Sequence, residues 1–306
     1  HIINMLLFSQ NFSEVIKQEI EEIKKHPKNT EAYANLITVY ELIEDSLNAV
    51  KYLENAKSNL GPSKICELMK ELGAHLGMTV NLLNFHDQNK YHLRKAVYYQ
   101  KNAINICSDD KLKGYGRKLT IVMAYRAYDI FYANNLYNEI TKDFSDIEKI
   151  EFAHRVSESN LWDNMYRQFP NESKKYRNKL SYYFSMKVLE YSKKLNDKMY
   201  FSKALRWLLI THPDDDIPEK VESFYREEIN SLCGSKSTVD CLDFGKNSSG
   251  VLADLAAALY QIGLYDYAKM IYQHVIDKIN LLVDFENLDS DPAKASIHNV
   301  HFNLGL

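Results

Sequence analysis

One spacing constrains this chain more than any total does: sets of five small or apolar residues separated by 4, 9, 4 and 3 positions. The sets are Ile3, Leu7, Ile16, Ile20, Ile23; then Leu36, Tyr40, Ala49, Leu53, Ala56; then Tyr191, Leu195, Ala204, Leu208, Thr211; then Leu255, Leu259, Ala268, Tyr272, Val275. Steps of three and four place side chains on one face of a helix. The step of nine is too long for one face and has to cross a turn into a second helix. Each set therefore predicts a helix hairpin with one apolar seam. A hairpin of that size cannot bury its seam alone, so stacked copies are expected.

The flanks of the best copies agree with this reading. His26-Pro27-Lys28-Asn29-Thr30-Glu31 reads as a helix end, a Pro stop and a Thr30 cap before the next helix. Asp45-Ser46 makes the turn, and Gly61-Pro62 closes the second helix. In the last full copy Gly263 supplies the turn between helices predicted at 251–262 and 265–279. Residues 251–272 and 30–56 resemble the tetratricopeptide repeat, whose unit of about 34 residues is a helix hairpin that often ends in Pro. Residues 1–27 and 180–213 resemble it less closely. The last residues, His301-Phe302-Asn303-Leu304-Gly305-Leu306, are similar to the opening of a further copy. The resemblance implies an all-α fold, a right-handed superhelical solenoid of antiparallel helix pairs across 1–306. It is regular at 1–62 and 248–282, degenerate at 63–232, looped at 233–250, and truncated at 296–306.

The middle holds the spacing with poorer residues. Leu83, Asp87, Ala96, Gln100 and Ala103 put two polar side chains into the seam, and Met123, Ala127, Leu136, Ile140 and Asp143 put in one. Helical periodicity continues over 64–84, 93–107, 117–132 and 179–194, and 144–171 is also read as helical. Connections are expected at 108–116, 233–250 and 283–295, the second as a mobile or binding loop. The low counts of 10 Gly and 6 Pro suit a mostly helical chain, and 22 Tyr suit a thin structure with much surface. A net charge of −3 carries no bias toward nucleic acid or an anionic membrane. No apolar run is long enough to span a bilayer, so no membrane insertion is expected. Cys66, Cys107, Cys233 and Cys241 are scattered; incidental thiols in a reducing, cytoplasmic setting are the expectation. For Cys233 and Cys241, half a metal site or a small disulfide stay as alternatives.

Motifs with a chemical meaning are few. His212-Pro213-Asp214-Asp215 resembles the zinc loop of LmbE-like deacetylases, where His and Asp bind metal and a neighbouring Asp is the base. That loop follows a strand, whereas 199–210 falls in helical register and Pro213 stands where a repeat stops, so a helix-ending turn is the favoured reading. Asp284, Glu286, Asp289 and Asp291 lack the glycine and ligand order of a calcium loop. His86 with His92, and His298 with His301, have no third ligand in view. No phosphate loop or supported nucleophile set is present, so no catalytic residue, metal or cofactor is assigned.

The resemblance also points to binding residues. In the family the first helix of each pair lines a concave groove, and the residue just before the opening seam position points into it, often as Asn. Those places hold Asn35, Glu190, Asp254 and Asn303. A row of amides and carboxylates can hydrogen-bond an extended peptide. The expected function is a non-enzymatic scaffold binding a protein or peptide, with association between copies of the chain left open. The alternative is the substrate-recruiting region of a larger enzyme, such as an O-linked glycosyltransferase or a methyltransferase.

Overall fold

Side-chain caps mark where six of the helices begin. In the computed structural model, which describes residues 12–82, 90–107, 110–158, 170–214, 217–245 and 247–282, Asn29, Asp45, Asp129, Ser145, Asp197 and Ser237 each satisfy an otherwise orphaned backbone N–H at a helix start. Helix α1 spans Phe12–Lys25, α2 Thr30–Leu42, α3 Ser46–Asn59, α4 Pro62–Leu82, α5 Lys90–Ile106, α6 Asp110–Ala127 and α7 Ile130–Ile140. Then come α8 Asp146–Ser157, α9 Pro170–Leu195, α10 Lys198–Ile210, α11 Pro218–Cys233, α12 Thr238–Leu242, α13 Ser248–Gln261 and α14 Tyr265–Leu282. Among the described residues there is no strand; the chain is all-α, and helices adjacent in sequence pack as pairs.

Two start points differ from expectation. Asn29, not Thr30, caps α2: its Oδ1 accepts from the Ala32 N–H at 3.2 Å, and Thr30 is the first helical residue. The predicted connection at 108–116 is helical from Asp110 onward.

The described residues form two compact units, 12–143 and 144–282. In the first, α2 packs against α1, α3 and α4, and the order continues through α4–α5, α5–α6 and α6–α7. Its core is built from buried Tyr33, Leu36, Ile37, Leu53, Leu68, Leu72, Ile121 and Tyr137. Gly73 sets how closely α4 meets α5: a Cβ there would lie 2.5 Å from Gln100 Cγ. Gln100 is buried in the seam, as its spacing demands, and its Nε2 donates to the Lys70 carbonyl at 3.2 Å. In the second unit α9 packs on α8 and α10, α10 on α13, and α13 on α14. Phe184, Phe201, Leu205, Leu255 and Ile271 are among its buried side chains.

Three turns share one geometry. Glu44, Asn196 and Gly263 have φ of 59°, 53° and 85°, the left-handed region that ends helices. The next N–H reaches back five residues each time: Asp45 to the Tyr40 carbonyl, Asp197 to Ser192 and Leu264 to Leu259, at 2.8, 2.8 and 2.9 Å. These turns fix the register of the repeat. They bear out the seams at 36–56 and 255–275, whose ten residues are all buried. They move the third copy by three residues: its equivalents are Val188, Ser192, Phe201, Leu205 and Leu208, all buried and separated by the same 4, 9, 4 and 3. Of the residues first read there, Leu195 is 38% exposed and Tyr191 half-buried. At α6–α7 the predicted Met123, Ala127 and Leu136 are buried, and the connection has no left-handed residue before Asp129. Asp129 caps α7, Ile140 is half-buried, and Asp143 lies exposed beyond the helix. In α1, Ile23 is buried with Val15 and Glu19, and Ile16 and Ile20 are half-buried. Ile3, Leu7, Leu83, Asp87 and the truncated copy at 296–306 lie outside the described residues.

The cysteine expectation is overturned. Cys66 is joined to Cys107 and Cys233 to Cys241, and no free cysteine remains. The first bond ties the start of α4 to the residue after α5. Their separation of 41 residues hid the pairing, because only the antiparallel packing of the two helices brings the Cα atoms to 5.2 Å. The second closes the 233–250 connection, which holds α12 in place of an open loop. There the Tyr225 and Thr238 hydroxyls meet at 3.1 Å, and Ser237 caps α12.

Candidate functional site

Helix α9 forms one wall of a concavity among the described residues. A cleft of about 590 Å³ is lined by Tyr182, Tyr183, Met186, Lys187, Leu189, Glu190 and Lys193 of α9, with Glu228 of α11. The lining repeats at steps of three and four, so one face of α9 forms one wall. Lys193 is ion-paired with Glu228, which fixes α11 at one edge. The Lys187 ammonium lies 5.7 Å from the centre of the Tyr183 ring, within cation–π range. Burial lowers the Lys187 pKa by more than the charge of Glu190 restores. Tyr182 is half-buried, its hydroxyl pKa raised by burial and by the nearby charges of Glu228 and Asp214. The arrangement offers rings and a thioether for apolar groups, beside an ammonium and carboxylates for polar ones.

The four expected groove residues occupy different settings. Asn35 is buried in the first unit, and its Nδ2 donates to Glu19 Oε1 at 3.1 Å. Burial pushes the Glu19 carboxyl up, with the Asn35 bond opposing it. Asp254 is exposed in the second unit and paired with Arg206 at 3.2 Å. Glu190 is exposed and lines the cleft. Turn geometry, however, places Lys187 where Asn35 and Asp254 stand, directly before the first seam residue, with Glu190 about one turn further on. Asn303 lies outside the described residues. Of the three described, Glu190 and Asp254 share a unit, and Glu190 alone reaches the cleft.

The His212 motif sits at the end of a helix, after α10, with no strand before it. The ring of His212 is buried, with its centre 5.9 Å from that of Tyr182 and 5.0 Å from that of Phe224. Its Nδ1 accepts from the Asp214 N–H at 3.1 Å, closing the turn. Asp215 and Asp216 lie outside the described residues, and among those described no three His, Cys, Asp or Glu side chains converge as a metal site.

Sequence reasoning missed two polar clusters. In the first unit Glu41 is fully buried. Its Oε1 accepts from Tyr99 at 2.6 Å and Lys95 at 3.1 Å, and its Oε2 from Tyr91 at 3.0 Å. Tyr91, Lys95 and Tyr99 are spaced by four on α5, the only sequence signal this cluster has. Burial opposes the Lys95 charge, but the bond to Glu41 and its charge outweigh that and raise its pKa. In the second unit Asp243 accepts from Lys278, from the Ser248 hydroxyl at 3.0 Å and from the Gly245 N–H at 3.1 Å; His274 Nε2 lies 3.2 Å from its other oxygen. Lys278 Nζ also donates to Ser248 Oγ at 2.7 Å. A Ser–Lys pair can be a nucleophile and base, but Ser248 is fully buried, so no substrate reaches it and the cluster fastens 243–248 onto α14. These clusters join residues 30 to 58 positions apart, which no local pattern reveals.

Among the described residues no helix is long and apolar enough to cross a membrane. Set beside models of known protein families the chain matches none, and no curated protein matches it at a significant level.

Proposed function

We propose that this chain is a peptide- or protein-binding scaffold of the tetratricopeptide type, and that the cleft on α9 is a principal contact surface. The observation that carries the reading is that cleft. It lies on the first helix of a repeat hairpin and holds Lys187 at the groove position in the register the turns define. Its lining of two tyrosines, a methionine and paired charges matches what recurs at protein contact surfaces, where rings supply area and polar groups fix register. The all-α hairpin packing and the matching 4-9-4-3 seams support the fold assignment. The right-handed superhelix belongs to the same proposal.

The ligand favoured is an extended segment with an apolar or aromatic side chain for Tyr182, Tyr183 and Met186, flanked by groups that pair with Lys187 and Glu190. A peptide array probed with the full chain tests this. Peptides that bind are expected to lose about tenfold or more in affinity against Tyr183→Ala and against Lys187→Glu, since anchors at such surfaces contribute about 1–2 kcal/mol or more. Asp254→Ala, outside the cleft, is expected to bind normally. Binding that is indifferent to both cleft variants would sink the assignment of the surface.

A further inference from the structure

The two disulfides and the turn before α13 together point beyond any groove ligand. All four cysteines of the chain are paired. Disulfides of this kind form and persist in oxidising compartments and are rare where glutathione and thioredoxin keep thiols reduced. In such a compartment an Asn-x-Ser triplet, where x is not Pro, is an acceptor for N-linked sugar, provided that the Asn lies at the surface. Asn247-Ser248-Ser249 is such a triplet.

The turn suits a bulky attachment. Asn247 is exposed, and its side chain makes no capping bond to α13. Ser249 is half-buried, two residues on. Gly245 and Gly250 flank the site, and a Cβ at either would meet nothing within 4 Å, so the space beside the turn is open. The backbone beneath is held firmly by Ser248 and Asp243 on Lys278 and by the Cys233–Cys241 bond. A group added at Asn247 thus projects outward from a fixed base and disturbs no buried contact.

We infer that Asn247 is an N-glycosylation site and that this protein acts in an oxidising, secretory-type compartment. The cytoplasmic expectation rested on unpaired thiols and is replaced in this inference. In the transfer, the Asn247 amide nitrogen forms a bond to the anomeric carbon of an oligosaccharide carried on a polyprenyl diphosphate. The sugar–phosphate C–O bond breaks, polyprenyl diphosphate leaves, and the amide gives up one proton. No electron changes hands.

The test uses the full chain behind a cleavable secretion leader in cultured eukaryotic cells. Two other Asn-x-Ser triplets, at Asn11 and Asn171, are removed by Asn11→Gln and Asn171→Gln so that only Asn247 is read. Intact mass is measured before and after peptide N-glycosidase, with thiols alkylated without reduction. The expected result is one enzyme-removable glycan at Asn247 and no alkylated cysteine. Asn247→Gln and Ser249→Ala abolish the glycan, and Ser249→Thr keeps it. An unmodified Asn247, in secreted or cell-retained chain, overturns the site. Four alkylated thiols overturn the compartment. Neither result bears on peptide binding at α9.

Discussion

Glu41 shows how much a single buried charge can decide. Three donors from α5 converge on its carboxylate, and Tyr91 extends the set to Ser46 Oγ at 2.7 Å. Removing the acceptor leaves the buried Tyr99 hydroxyl and the half-buried Lys95 ammonium without that partner, while Tyr91 keeps Ser46. Glu41→Ala is therefore expected to lower the unfolding free energy by about 3 kcal/mol, read as a shift of the urea midpoint at unchanged slope. Tyr99→Phe, which deletes one donor and leaves the pair of charges, is expected to cost about 1 kcal/mol. Asp243 gives a pH dependence. Burial alone would raise its pKa, but the bonds from Lys278, the Gly245 N–H and Ser248, with the Lys278 charge, hold it well below the usual carboxylate range. A carboxyl with a depressed folded-state pKa contributes stability that is present above its unfolded value, near 4, and is lost as pH falls through the folded value. Thermal midpoints measured from pH 6 down to pH 2 should fall, and Asp243→Asn should make that limb shallower while lowering stability at pH 6. An unchanged acid limb would remove Asp243 from the account. The long-range partners were not legible beforehand: a hydrogen bond across 31 to 58 residues leaves no trace in composition, and the spacing of Tyr91, Lys95 and Tyr99 by four does not name their acceptor.

Turns, more than helices, set the repeat at the scale of elements. A helix presents residues three and four apart on one face, so a 4-9-4-3 template slid by three still lands on apolar positions in both helices. The 191–211 copy slipped for that reason. Its phase is set by Asn196, which adopts the left-handed conformation that Gly263 adopts freely, followed by the Asp197 cap. The Asn196-Asp197 pair is the local signal, parallel to Glu44-Asp45, and it carries no glycine to mark the turn. The correction places Lys187, in place of Glu190, directly before the first seam residue, where Asn35 and Asp254 stand. It also yields a stability series. Glu44→Gly relieves a left-handed residue with a Cβ and is expected to stabilise by about 1 kcal/mol. Asn196→Gly is expected to gain less, because Asn tolerates that region, and Gly263→Ala to lose about 1 kcal/mol. Calorimetric midpoints of the three variants check the order; a uniform response would contradict the shared turn.

At the scale of the whole molecule, each compact unit carries its own cross-link. Cys66–Cys107 closes a long loop and Cys233–Cys241 a short one, so chain entropy predicts stabilisation of about 4 and about 2.5 kcal/mol respectively. Replacing Cys66 and Cys107 by Ser should speed amide exchange within 12–143 and leave 144–282 near its parent rate. The second pair should act the other way round. Exchange that rises evenly along the chain in both variants would show that each bond acts beyond its own unit. The helical class of the chain, the hairpin rhythm and the seams at 36–56 and 255–275 were determined by the sequence alone, because local periodicity and turn residues act within a few positions. Tertiary structure alone decided the cysteine pairs, the buried Glu41 and Asp243 clusters, the phase of the slipped repeat and the cleft on α9. Each of these depends on which residues distant in the chain arrive on the same side of packed helices, and that is a property of packing that one-dimensional spacing does not contain.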